Sequence, residues 1–202
     1  MTRVLVIRHG HVDGIQPPRF RGRFDVPLSA EGLLQAAATA EQLAKQGGVS
    51  AVYTSPLARC VTTAETIATA CEAPCIVEDN LADLDYGSWQ WRSHEDIRQE
   101  APEHFARWFS HPEQIRFPEG ESLQDLVART ADVIRDITKR HPADTVALVG
   151  HDSVNRAILM QMLDQPLSAY WRLSFSPCSV SEFEVTDSKT RVTRINDTSH
   201  LR

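Results

Sequence analysis

Two histidines and two arginines stand where chemistry is easiest to place. Val4-Leu5-Val6-Ile7 is a short run of β-branched and aliphatic residues, and it stops at Arg8-His9-Gly10. Such a run, bounded by a turn residue, reads as a buried strand. Thr145-Val146-Ala147-Leu148-Val149 repeats the layout and stops at Gly150-His151. A third junction, Ala51-Val52-Tyr53-Thr54 followed by Ser55-Pro56, leads into a helical pattern with Arg59 in its first turn. Loops at strand ends in open α/β sheets converge on one crevice. Arg offers planar donors to phosphate or carboxylate, and His is a nucleophile or proton carrier near neutral pH. Together these residues make a site for a phosphate dianion. A neutral imidazole nitrogen attacks phosphorus in line, and cationic donors hold the equatorial oxygens. The leaving alcohol then needs a proton, for which Asp83, Asp85 and Asp152 are available.

The elements that must position these groups alternate in type. Ser29 is a plausible N-cap with Glu31 in the first turn, and Leu33, Leu34, Ala37, Ala40 and Ala44 mark a helical face to about Lys45, ended by Gly47-Gly48. Ser55 and Pro56 read as N-cap and first residue of a second helix, carrying Leu57, Cys60, Val61, Ala64 and Ile67. Cys75 to Glu78 reads as a third strand. Residues 93 to 109 look helical but irregular. Ser122-Leu123-Gln124-Asp125 resembles a capping arrangement before a long helix to about Arg140, and another helix follows from about Asp152 to Leu163. The tail alternates around Val180, Phe183, Val185, Val192 and Ile195, as in a hairpin at a sheet edge. The alternation predicts a three-layer α/β/α sandwich with a mostly parallel central sheet and an antiparallel edge. A single domain spans 1–202, with a small lid-like insertion at about 86–120. That insertion holds Trp89, Trp91, His94, His104, Trp108 and His111, residues that either line a lid or, more commonly, pack a small satellite core.

Composition narrows the function. The 202-residue chain has a net charge of -6, which argues against a nucleic-acid or anionic-membrane partner and makes a local Arg/His cluster stand out. No apolar run is long enough for a membrane span. Met1-Thr2-Arg3-Val4 enters a strand with no signal-peptide layout, and the four cysteines (Cys60, Cys71, Cys75, Cys178) lack paired spacing, so a cytoplasmic chain with reduced thiols is expected. No carboxylate–histidine cluster has metal-ligand spacing, and neither a metal nor another cofactor is expected.

Five blocks, Leu5 to Gly10, Asp25-Val26-Pro27-Leu28-Ser29-Ala30-Glu31-Gly32, Thr54-Ser55-Pro56-Leu57-Ala58-Arg59-Cys60, Gly120-Glu121-Ser122 and Val149-Gly150-His151, follow one another as in the histidine phosphatase superfamily. The chain resembles that phosphoglycerate-mutase-like family over most of its length, most of all its α-ribazole and broad-specificity phosphatases. The resemblance implies that His9 is phosphorylated and that Arg8, Arg59 and His151 hold the phosphoryl group. It places the general acid in a Leu-x-Glu-x-x-x-Gly segment, here Leu81-Ala82-Asp83-Leu84-Asp85-Tyr86-Gly87, so Asp83 takes the acid position one methylene short of Glu. The other branch of the superfamily places an Asp directly after the second His, which here is Asp152. Asp83 is preferred, with Asp152 retained as a substrate-binding candidate and, in its plain reading, a helix N-cap. Two further departures stand out. Ile15 occupies the position of a phosphate-touching Asn, and Arg21, before Gly22, replaces a small polar residue and offers a substitute donor. The expected activity is metal-independent hydrolysis of a small phosphorylated metabolite through a phosphohistidine. Mutase-type phosphoryl transfer and non-catalytic phosphoester binding are the alternatives. The mutase reading is disfavoured because the segment between Asp83 and Glu121 is short and carries few basic residues, and a phosphoprotein substrate is disfavoured by the aromatic cover.

Overall fold

The computed structural model describes residues 1–13, 17–186 and 189–201. Ile15 therefore lies outside the described residues. Six strands form one sheet in the order β3-β2-β4-β1-β5-β6. These are β1 (Thr2–Arg8), β2 (Val49–Thr54), β3 (Cys75–Val77), β4 (Thr145–Gly150), β5 (Val180–Val185) and β6 (Thr190–Asp197). The first four strands in sheet order are parallel, and β5 and β6 add an antiparallel hairpin beside β1. The expected three-layer sandwich is therefore present, with the expected hairpin at its antiparallel edge.

Strand alternation assigns the layers. Val4 and Val6 of β1, with Val146 and Leu148 of β4, enter one buried cluster with helices α5 (Leu123–Arg140) and α6 (Asp152–Met162). Leu5, Ile7, Ala147 and Val149 face the other way, into a cluster with α1 (Ala30–Gln46) and α2 (Ala58–Ala70). Each fully buried aliphatic side chain here contributes roughly 1.5–3 kcal/mol. The first cluster also takes in Phe20, Trp89, Trp108, Ile115 and Phe117. The aromatic residues of the 86–120 segment are thus continuous with the main core and do not form a satellite.

Local signals behave as expected at several boundaries. The Ser29 side chain accepts from Gly32 N at the start of α1. Ser122 and Asp125 form a reciprocal capping box at the start of α5. The irregular stretch at 93–109 is two helices, α3 (His94–Glu100) and α4 (Pro102–Ser110), broken at Ala101 because Pro102 disfavours helical geometry in the residue before it.

Other expectations need correction. Leu33 and Leu34 are exposed; of the expected face Ala40 is buried, together with Gly32, Ala36, Thr39 and Leu43. The small residues let the helix approach closely: a Cβ on Gly10 would lie 2.6 Å from Gly32 O. Gly10 is therefore needed for this close contact with α1. Helix α2 begins at Ala58 with Leu57 as a cap lacking a side-chain bond, so Ser55 is not its N-cap. Likewise His151, not Asp152, caps α6, and Asp152 is its first helical residue.

Candidate active site

Strand register builds the centre of the site. Arg8 on β1 pairs with Gly150 on β4, so His9 and His151 leave adjacent parallel strands at the same level. Their ring centroids are 5.3 Å apart, edge to face, close to the roughly 4.8 Å spacing of neighbouring strands. Both rings are buried.

His9 Nδ1 lies 2.7 Å from Gly10 O. A carbonyl only accepts, so Nδ1 carries the proton and Nε2 of the neutral ring carries the lone pair. Burial, followed by the charges at His151, Arg8 and Arg59, holds the His9 pKa well below its ordinary value. Its neutral form therefore persists into mildly acidic solution. Burial and the surrounding arginines lower His151 in the same way. His151 Nε2 is 2.8 Å from Ser55 Oγ, and Nδ1 is 3.6 Å from Asp83 Oδ2.

Arginines ring a small cavity of about 120 Å³, which Arg8, Arg19, Arg21 and Arg59 line with His9. Arg59 is buried. Its Nη1 donates to Phe24 O at 2.9 Å and its Nη2 to Gly22 O at 2.7 Å. Arg8 Nη1 donates to Phe175 O. Gly22 holds φ +48°, and a Cβ there would sit 2.8 Å from Leu84 O. Gly22 lines the cavity and also presents the carbonyl that orients Arg59.

The three candidate acids separate clearly. Asp83 lines the cavity; its Oδ1 accepts from Leu84 N at 2.9 Å and from Ser153 Oγ, and its Oδ2 is 3.4 Å from Arg59 Nη2. Asp152 lies on the rim with Oδ2 accepting from both Nε (2.9 Å) and Nη2 (2.8 Å) of Arg156. Asp85 is used elsewhere, accepting from Gly87 N at 2.9 Å and pairing with Arg23 Nη1 at 3.2 Å.

Sequence reasoning did not single out Ser153, Tyr170 or Trp171 for the site, and it gave Ser55 another task. Tyr170 and Trp171 line the cavity from a 3-10 turn, Leu167–Arg172, and Arg156 stacks on both rings at 5.1 and 4.8 Å. Nothing local in the sequence marks that return to the rim. Ser153 follows Asp152 directly and was within reach of the same argument. Of the aromatic insertion, only Tyr86 reaches the cavity wall; burial raises its pKa far above the ordinary phenol value, so it stays a neutral donor. Among the described residues, no group of three or more His, Cys, Asp or Glu is placed to hold a metal, and no helix is long and apolar enough to cross a membrane.

A paired, buried neutral imidazole under converging guanidinium groups, with a carboxyl across the cavity, is the arrangement expected for phosphoryl transfer to nitrogen. Comparison with known proteins agrees. The sequence pattern of the histidine phosphatase superfamily (branch 1) matches residues 4–198. The chain belongs to the histidine phosphatase superfamily. It is 30% identical to phosphoserine phosphatase 1 of Hydrogenobacter thermophilus over 201 residues, covering all of this chain and 95% of that protein. It is 32% identical to a metal-independent phosphoserine phosphatase of Arabidopsis thaliana over 203 residues, covering all of this chain and 84% of that one. Among solved structures, Bacillus stearothermophilus YhfR superposes with a TM-score of 0.94 at 27% identity, over the full length of both chains. This histidine phosphatase is a phosphoric monoester hydrolase with the phosphoglycerate-mutase-like fold.

Proposed function

We propose that the protein hydrolyses the phosphate ester of a small metabolite in two displacements at His9, with Asp83 moving the proton. Nε2 of His9 attacks phosphorus as the ester P–O bond breaks. Arg8, Arg59 and His151 hold the three non-bridging oxygens as charge shifts among them. Asp83, protonated, delivers its proton to the leaving alcohol oxygen. Water then attacks the phosphohistidine while the Asp83 carboxylate takes one of its protons. The N–P bond breaks, phosphate departs, and both residues return to their starting state. Arg21, Gly22 and Asp152 complete the wall that receives the rest of the substrate, and Tyr86 closes one side of it.

One observation carries this reading: His9 is buried among cations and its Nδ1 is committed to Gly10 O, which reserves Nε2 for attack. The compact cavity favours a metabolite over a phosphoprotein loop. Hydrolysis of p-nitrophenyl phosphate in EDTA, for the parent and for His9→Ala, tests it. Activity that survives the chelator, a covalent phosphoryl label on acid quench, and loss of both in His9→Ala are expected. A parent that binds phosphate but neither labels nor turns over would refute the catalytic assignment.

A further inference from the structure

The cavity holds more positive charge than a phosphoryl group uses. Arg19, Phe20 and Arg21 form a tight turn, closed by Arg21 N donating to Arg19 O at 3.0 Å, and the turn is tied to the insertion. Arg19 makes an antiparallel bridge with Ser93, Phe20 N donates to Arg92 O at 3.0 Å, and Trp91 N donates to Phe20 O. Phe20 is buried among Tyr86, Trp89, Phe105 and Phe117. The turn sends the Phe20 ring into the core, while its neighbours Arg19 and Arg21 both line the cavity.

Neither guanidinium has a carboxylate partner within 4 Å among the described residues. Arg19 is held by neutral groups: Nη1 donates to Trp91 O at 3.0 Å, and the guanidinium lies 5.4 Å from the centre of the Trp91 ring, which stacks on Phe24. Arg21 Nη1 is buried with no hydrogen-bond partner among the described residues. A buried unpaired donor is costly and is kept where a ligand satisfies it. Two carboxylates line the same cavity; Asp152 is engaged by Arg156, and Asp83 faces Arg59. A phosphoryl dianion clamped by Arg8 and Arg59 therefore leaves Arg19 and Arg21 unmatched. Burial and the nearby Arg8 also disfavour the charge on Arg21, a stress that an added anion relieves.

We infer that Arg19 and Arg21 form a second anion subsite and that the substrate is a phosphate ester carrying a second anionic group, a carboxylate or another phosphate, a few bonds from the first. This inference rests on the phosphohistidine reading, which assigns Arg8 and Arg59 to the phosphoryl group. The cavity size limits the linker to a short chain. An ester with a cationic tail is repelled by the same pair.

The test compares esters that share a skeleton. 3-Phosphoglycerate and glycerol 3-phosphate differ by a carboxylate against a hydroxymethyl group. Propane-1,3-diyl bisphosphate supplies the second-phosphate arm and phosphoethanolamine the cationic one. The parent is expected to favour at least one dianion-plus-anion ester over glycerol 3-phosphate by about tenfold or more in kcat/KM, the size of one charge-assisted contact. Which arm wins identifies the second group. Arg21→Gln should bring that ratio close to one, mainly through KM, and Arg21→Lys should restore part of it. A parent ratio near one, which needs no variant, overturns the subsite. An equal loss on every ester in Arg21→Gln also overturns it and assigns Arg21 to the phosphoryl clamp. Acid-quench labelling by p-nitrophenyl phosphate is read in parallel: absence of label in the parent refutes the phosphohistidine reading itself, and the subsite with it.

Discussion

Replacing Asp83 by Asn removes the proposed proton donor while leaving the shape of the side chain. Asn keeps an oxygen for Leu84 N and Ser153 Oγ, the two groups that hold Oδ1 now. Only the outer atom changes, the one 3.4 Å from Arg59 Nη2 and 3.6 Å from His151 Nδ1. General acid catalysis is worth about 10²–10⁴ in rate, or about 3–5 kcal/mol at 1.36 kcal/mol per decade. That full loss is expected in kcat/KM for an alkyl ester such as glycerol 3-phosphate, whose alkoxide cannot leave unprotonated. p-Nitrophenolate leaves without a proton, so kcat/KM for the aryl ester should fall by about tenfold or less. The second displacement still lacks its base, so kcat on the aryl ester drops and phosphohistidine accumulates. Stopped-flow traces should then show a burst of about one p-nitrophenolate per site, followed by slow turnover.

Asp152→Asn is the matched control. Its carboxylate is occupied by two donors of Arg156, which suits a rim ion pair rather than a group aimed at the leaving oxygen. Both esters should lose activity equally in that variant, by about tenfold or less. A loss in Asp83→Asn that is the same for aryl and alkyl esters would refute the assignment. So would a leaving-group-dependent loss in Asp152→Asn.

Three further outcomes follow from the geometry. His9 and His151 are held neutral by burial, so below pH 6.5 the unfolded chain takes up protons that the folded one refuses; stability falls with pH by up to about 1.4 kcal/mol per unit for each ring, and urea midpoints between pH 7 and 5.5 should slope less in His9→Asn than in the parent, equal slopes counting against the burial argument. Gly22→Ala puts a Cβ 2.8 Å from Leu84 O at φ +48°, costing about 1–3 kcal/mol and displacing the carbonyl that orients Arg59; a lower melting temperature and a higher KM are expected, and parent-like values for both would contradict it. Glu121 bridges Arg23 and Arg129, both of which also donate to Asp83 O; breaking a buried pair costs about 3–5 kcal/mol, and partial exposure here reduces that to about 2, so Glu121→Gln should unfold at lower urea and lose more activity on alkyl than on aryl esters.

The parts of this molecule that were legible in its sequence are those fixed by local pattern. Both histidines follow short apolar runs, and the pairing of Arg8 with Gly150 brings them together because β1 and β4 are neighbours. The capping box at Ser122 set the start of α5 to the residue. What misled was pattern without partners. Leu33 and Leu34 read as a core face, yet α1 packs through Gly32, Ala36 and Ala40, because closeness of approach to Gly10 and α2 matters more there than side-chain hydrophobicity. Ser55-Pro56 read as a helix start, but the Ser55 hydroxyl is turned to His151. Tyr170 and Trp171 reach the rim only through tertiary packing, which no window of sequence contains.

The same limit applies to the arginines, and it bears on how the site works. Sequence alone cannot separate a structural guanidinium from one meant for substrate, but the bonding in the fold does. Arg23, Arg129 and Arg156 are paired with carboxylates. Arg8, Arg19 and much of Arg59 are instead held by carbonyl oxygens, of Phe175, of Trp91, and of Phe24 and Gly22. A carbonyl fixes the orientation of a guanidinium without cancelling its charge, so the positive field is retained for an incoming anion. A carboxylate in the same place would have to be displaced by the phosphate or would repel it. The one carboxylate that does face the clamp is Asp83, 3.4 Å from Arg59. In the proposed cycle that same carboxyl serves the leaving alcohol, so the acid stands directly beside the arginine that holds the phosphoryl group.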